Sequence, residues 1–168
     1  RQRQMCIRDR GRTVVGICGG YQMLARTIDD PQGQEVAGGA QVPGLGLLPV
    51  DVDFAAEKTL TLSHGTWQGI EVGGYEIHHG TTTADAGSEP FLDGAHVGSV
   101  WGTMWHGAFE HDDFRRTWLA QAAQVAGSSW RPHTDELGYQ ARREAMIDTL
   151  ADALVEHVDV DALLTLGR

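Results

Sequence analysis

Thr13-Val14-Val15-Gly16-Ile17-Cys18-Gly19-Gly20-Tyr21-Gln22-Met23-Leu24 decides how the rest of the chain is read. The apolar run from Thr13 to Ile17 has the length and composition of a buried strand. Gly16-Ile17-Cys18-Gly19-Gly20 follows without a gap, and behind it Tyr21, Met23, Leu24 and Ile28 fall at helical spacing. This is the pattern of a nucleophile elbow, with cysteine where hydrolases of this architecture carry serine. The sharp turn lifts Cys18 clear of the sheet edge. It leaves no room for side chains two residues to either side, which is the reading given to Gly16 and Gly20. A helix starting behind the sulfur points the positive end of its dipole at it, so the expectation is a thiol biased toward thiolate. The alternative for Cys18 is a small buried hydrophobe closing a strand. That accounts for neither the paired glycines nor the abrupt change of period.

Composition narrows the class. A chain of 168 residues with 41% hydrophobic residues is one domain or a piece of one. Its net charge of −10 argues against nucleic acid or an anionic membrane as the main partner. No run is long enough to span a bilayer, and the residues ahead of the first strand lack the pattern of a secretory leader. The two cysteines, Cys6 and Cys18, give no disulfide framework, and a working thiol belongs in a reducing cytoplasm. Arg1 to Arg10 is basic and polar in an acidic chain. It is read as a non-native or disordered leader over residues 1–10, leaving 11–168 as a partial domain. An elbow strand normally lies inside a parallel sheet, so strands that should precede it are expected to be missing.

Along the chain, Asp29 to Gly33 is a turn cluster and Glu35 to Pro43 an exposed loop. Gly44 to Val50 leads from a turn into a strand, and Val50 to Phe54 alternates with period two. Lys58 to Ser63 alternates again before His64-Gly65-Thr66-Trp67 interrupts it. Ile70 to His79 reads as a strand, Thr81 to Asp93 as a polar, turn-rich segment, and Val97 to Trp105 as a strand ending at His106-Gly107. From Asp112 the period becomes helical, with Phe114, Trp118, Leu119 and Ala122 on one face. After a break at Gly127 to Pro132, a long amphipathic helix is predicted over Glu136 to Val158, striped by Ala145, Ile147, Leu150, Leu154 and Val158. A short apolar turn from Val160 to Leu166 closes the chain.

An elbow cysteine needs a base, and eight histidines are available. His106 follows a strand directly, at the carboxyl edge where ligands bind in α/β folds. His78 and His79 also end a strand, but neighbours on a strand point to opposite faces and cannot share one ion. His64, His96, His111, His133 and His157 are read as solvated or core-satisfied rings.

Five stretches, in order, then resemble one family. They are Gly16-Ile-Cys-Gly-Gly-Tyr-Gln-Met-Leu24, the Asp30-Pro31 turn, Gly44-Leu-Gly-Leu-Leu-Pro49, Gly74-Tyr-Glu-Ile-His-His-Gly80 and Gly102-Thr-Met-Trp-His-Gly-Ala-Phe109. The likeness is to the cobyric acid synthases, more narrowly to their C-terminal class I glutamine amidotransferase domain. That domain type is shared with cobyrinic acid a,c-diamide synthase. The resemblance implies a flavodoxin-like α/β fold, a mixed sheet flanked by helices, here lacking its first strands. It implies that Cys18 attacks the side-chain amide of glutamine while His106 moves the proton. Gly19, Gly20, Gln22, Tyr75 and Glu76 would line the oxyanion and substrate site. It also implies a preceding ATP-dependent synthetase domain. There the ammonia would amidate the b, d, e and g carboxylates of adenosylcobyrinic acid a,c-diamide, in cobalamin biosynthesis.

Most class I amidotransferases carry a glutamate two residues after the histidine; here that position is Ala108, as in the cobyric acid branch. Glu76 or a backbone carbonyl is the expected substitute for orienting His106. No Gly-x-x-x-x-Gly-Lys-Ser/Thr loop occurs, so no cofactor is expected in this domain, with ATP and Mg assigned to the synthetase domain. The isolated fragment is expected to have little glutaminase activity and an open apolar sheet edge. Three alternatives stand beside this reading. One is an amidotransferase with another acceptor (cobyrinic acid or a lipid-linked peptidoglycan precursor), one a thiol hydrolase of the same architecture, and one a non-catalytic interaction domain.

Overall fold

The computed structural model describes residues 11–133 and 137–166. The leader expected over residues 1–10, with Cys6, lies outside the described residues. The chain divides into two compact units, Arg1–Pro132 and His133–Arg168.

The first unit is α/β, with two mixed sheets and helices beside them. Its elements are β1 (Val14–Ile17), α1 (Gly19–Leu24), β2 (Thr27–Asp30), β3 (Ala40–Pro43), β4 (Val50–Trp67), β5 (Ile70–Ala84), β6 (Glu89–Phe91), β7 (Gly94–Val97), β8 (Val100–Thr103) and α2 (Asp112–Val125). One sheet has the order β1-β8-β7-β6 and the other β3-β2-β4-β5. β1 runs parallel to β8 and is an edge strand of its sheet, whereas β8, β7 and β6 pair antiparallel. Along that edge Val15 and Ile17 are exposed.

Several boundaries move for identifiable reasons. The elbow helix ends at Leu24 and Ile28 belongs to β2. The segment Gly46-Leu47-Leu48 takes over the helix's last carbonyls, with Gly46 N–H on Ala25 O at 2.8 Å and Leu47 N–H on Leu24 O at 2.9 Å. Asp29 and Asp30 lie in a strand, and the turn comes after them. The buried Asp30 carboxylate shapes it by accepting the N–H groups of Gln34, Glu35 and Val36. Part of the expected loop forms β3, paired with β2. His64 to Trp67 does not interrupt β4, which pairs with β5 as far as Trp67 opposite Ile70 and absorbs an irregularity between Asp53 and Lys58. The polar segment from Thr81 holds the end of β5 and all of β6. The strand expected over Val97 to Trp105 is split by a turn into β7 and β8.

Two clusters form the core. Tyr21, Leu24, Leu48, Val50, Val52, Val100 and Met104 pack α1 between the sheets. Trp67, Phe91, Trp101, Trp105, Phe114 and Trp118 form an aromatic cluster joining β4, β8 and α2. Edge-on pairs such as Trp67–Phe114, with centroids 5.4 Å apart, suit the ring quadrupoles. Phe114 and Trp118 are buried as the spacing of α2 predicts.

The second unit holds α3 (Tyr139–His157) and α4 (Val160–Leu166). Glu136, the expected start of the long helix, lies outside the described residues. Ala145, Ile147, Leu150 and Leu154 fall on α3, and none of its residues is buried. No helix among the described residues is long and apolar enough to cross a membrane.

Candidate active site

Cys18 is the single residue between β1 and α1. Its backbone has φ 51° and ψ −117°, a conformation that costs a non-glycine residue about 1–3 kcal/mol. Its N–H donates to Thr103 O on β8 at 2.8 Å, and its carbonyl accepts the first helical bond from Gln22 N–H at 3.0 Å. The turn is tight because the helix backbone passes directly over β1. A Cβ on Gly16 would lie 2.7 Å from both C and O of Gly20 and 2.7 Å from Leu24 Cδ1. The same test at Gly20 meets nothing within 4 Å. The elbow's steric demand therefore falls on Gly16, and Gly20 contributes backbone slimness at that contact. Tyr21 then clamps α1 to β8, its buried ring lying so close over Gly102 that no side chain fits there.

The thiol is not biased toward thiolate. Partial burial pushes the Cys18 thiol above its ordinary value, the Gly19 N–H opposes this, and the negative charge of Asp93 raises it further.

His106 stands three residues beyond Thr103, and Ile17 is the register partner of Thr103 across the parallel β1–β8 pair. Cysteine and histidine thus leave the carboxyl ends of adjacent parallel strands. The loop carrying His106 is bonded to β5 by an isolated antiparallel bridge. Tyr75 N–H donates to His106 O at 3.0 Å and His106 N–H to Tyr75 O at 2.9 Å. The Tyr75 and His106 rings stack, with centroids 5.1 Å apart and planes 11° apart. Gly74 makes the approach possible, since a Cβ there would sit 2.7 Å from His106 O.

Two of the other expected site residues have their side chains engaged within the protein. Gln22, largely buried, donates from Nε2 to the His79 carbonyl at 3.0 Å and ties α1 to β5. Glu76 accepts from Ser63 Oγ at 2.5 Å and from His78 Nε2 at 3.0 Å. Burial raises the Glu76 carboxyl, but the bonds from Ser63, His78 and Trp105 together outweigh it and hold the group below the ordinary range. Gly19 and Gly20 are exposed, with open space where a Cβ would lie.

Sequence reasoning missed Asp93. It occupies the two-residue turn between β6 and β7 with Leu92, whose φ is 55°. Its carboxylate accepts the Thr103 hydroxyl and the Met104 N–H, the latter at 3.1 Å. Asp93 therefore fastens the end of β8 from which both the Cys18 backbone contact and the His106 loop depend. The Asp93-Gly94 dipeptide is a hairpin signal that could have located it.

A cysteine held in a strained strand-to-helix corner, with a histidine three residues past the end of the neighbouring parallel strand, fits the class of α/β domains built on a strand-to-helix elbow. The profile of the family described as the CobB/CobQ-like glutamine amidotransferase domain matches residues 4–114. The chain belongs to that family. It is 76% identical over 160 residues to a cobyric acid synthase of Cutibacterium acnes, covering 95% of this chain and 33% of the relative. It is 50% identical to a cobyric acid synthase of Mycolicibacterium gilvum, covering 94% of this chain and 30% of the relative. A third cobyric acid synthase, from Streptomyces coelicolor, is 49% identical over 90% of this chain and 29% of its own length. The chain spans about a third of the length of the curated relatives it matches.

Proposed function

We infer that this domain hydrolyses glutamine through Cys18 and supplies the ammonia to an ATP-dependent synthetase portion of a cobyric acid synthase. The observation that carries the reading is the elbow itself: Cys18 at φ 51°, bonded to the end of the strand that delivers His106. Because the thiol is held protonated by burial and by Asp93, a base has to take its proton at the moment of attack.

In the proposed sequence, the His106 imidazole removes the Sγ proton as sulfur bonds to the side-chain carbonyl carbon of glutamine. The oxyanion that forms is met by backbone N–H groups at the start of α1, Gly19 foremost, in the open space above the elbow. The carbon–nitrogen bond then breaks, and the imidazolium returns its proton to the leaving nitrogen, releasing ammonia and leaving a γ-glutamyl thioester. Water attacks the thioester with His106 again as base, and glutamate departs with the thiol restored. Gln22, Tyr75 and Glu76 shape the site around this chemistry. No cofactor is needed for these steps; ATP and Mg act in the synthetase portion.

The relatives' names favour adenosylcobyrinic acid a,c-diamide carboxylates as the acceptor over a lipid-linked peptidoglycan precursor. The compartment consistent with a free thiol and this chemistry is the cytoplasm. The test is glutaminase turnover of the whole protein. Cys18→Ala abolishes it, and His106→Ala lowers it by about 10²–10⁴-fold, the range for loss of a general acid–base group. Full turnover in Cys18→Ala ends this reading.

A further inference from the structure

We propose that Tyr75 is the positioning residue for His106, doing with a ring face what a carboxylate would do at Ala108. The proposal rests on the glutaminase reading above, and extends it to a residue whose role there was only that of site lining.

Three observations point the same way. The two rings lie nearly parallel, 11° apart in plane with centroids 5.1 Å apart, so turning the imidazole out of that plane loses the contact. The two residues exchange both backbone hydrogen bonds, at 2.9 and 3.0 Å, which fixes the separation of their Cα atoms as well as their rings. The residue after the histidine continues the arrangement: Gly107, at φ 76°, passes the edge of the Tyr75 ring, where a Cβ would lie 3.5 Å from Cε1. The side chain expected to orient the ring, Glu76, is engaged by Ser63, His78 and Trp105, and as the next residue on the strand it is turned to the opposite face of β5 from Tyr75.

The stack also suits the reaction. When His106 takes the thiol proton it becomes a cation, and an aromatic face within about 6 Å is a favourable neighbour for a cation. A carboxylate would hold the ring through one nitrogen. A tyrosine face leaves both imidazole nitrogens free for the sulfur and the leaving group.

The phenolic hydroxyl plays no part in this, which makes the test sharp. In the whole protein, Tyr75→Phe keeps kcat for glutamine hydrolysis within about twofold. Tyr75→Leu, still apolar but without a π face, lowers kcat by roughly 10²-fold, the scale on which a displaced catalytic group acts, with KM little changed. A second readout does not depend on activity. With ¹³C-labelled histidine, the His106 ring protons are shielded by the stacked ring in wild type and in Tyr75→Phe, and lose that shielding in Tyr75→Leu. Equal kcat in the Leu and Phe variants overturns the proposal, as does an unshielded His106 ring in wild type. If His106→Ala itself retains full turnover, it is the glutaminase reading that fails; if that variant is dead while Tyr75→Leu is not, only the positioning role fails.

Discussion

The sulfur side and the imidazole side of the site are held by different physics. Cys18 is trapped in an unfavourable backbone conformation by hard contacts. The helix backbone presses on Gly16, the Tyr21 ring lies on Gly102, and a 2.8 Å bond joins Cys18 to Thr103. While the neighbouring Trp105 is packed in the aromatic core, the His106 backbone and ring are held to β5 by one two-bond bridge and one ring stack. Each of those contacts is worth of order 1 kcal/mol. The difference teaches that Cys18 is placed by the packing of a helix on a sheet, whereas the His106 ring is placed by a few contacts of its own.

The largest effect that tests this contrast comes from the two close-approach glycines. Gly16→Ala puts a Cβ 2.7 Å from two backbone atoms of Gly20, and relief requires α1 to move off the sheet with Tyr21 and Leu24. A loss of about 3 kcal/mol or more of stability is expected, at the upper end for overpacking. Gly74→Ala puts its Cβ equally close to His106 O and 3.1 Å from Trp105 Cβ, but no helix has to leave a sheet to relieve it. The expected cost is about 1 kcal/mol, accompanied by a loss of turnover larger than the loss of stability. Chemical denaturation of both variants beside glutaminase assays decides it. Equal destabilisation would remove the distinction between the two sides.

A smaller effect probes the charge beneath the elbow. Asp93→Asn keeps an acceptor for the Thr103 hydroxyl and the Met104 N–H while removing the negative charge that raises the Cys18 thiol. The thiol then ionises at lower pH, so the midpoint of iodoacetamide alkylation moves down the pH scale. A midpoint that stays put, or moves up, shows that Asp93 acts on β8 alone and not on the sulfur.

The same contrast explains what could be read from the chain. The elbow was legible because its requirements are local. A strand, a glycine at Gly16 and a following helix sit within a dozen consecutive residues, and the glycine is forced by contact with the backbone four residues on. His106 was legible only as the residue closing a strand. Its supports come from Tyr75, some thirty residues upstream, and no periodicity links a ring stack across that distance. Asp93 was lost in a polar segment because a carboxylate satisfying a neighbouring strand looks, in sequence, like any hairpin turn. A strand glycine misled for a related reason. Gly65, in the stretch expected to interrupt β4, has the Trp105 ring packed against it, filling the space its side chain would occupy. The expected thiolate bias failed because burial and the charge of Asp93 together outweigh the Gly19 N–H at the sulfur.

The smallest effect expected concerns Glu76, on the face of β5 opposite Tyr75. Burial, the largest single influence, raises its carboxyl, but Ser63, His78 and Trp105 together lower it further, so its folded value lies below its unfolded one. A group of that kind contributes stability that is fully present above the unfolded carboxylate range and disappears as pH falls through the folded value. Glu76→Gln therefore melts below wild type near neutral pH, and the gap closes progressively as the pH is lowered through the carboxylate range. Turnover relative to wild type should change far less than in Tyr75→Leu, because Glu76 holds the hairpin together and the tyrosine holds the imidazole. A gap in melting temperature that stays constant down to low pH would mean the Ser63–Glu76–His78 bonds add nothing beyond packing. A turnover loss matching that of Tyr75→Leu would move Glu76 onto the imidazole side of the site and erase the division of labour between the two faces of β5.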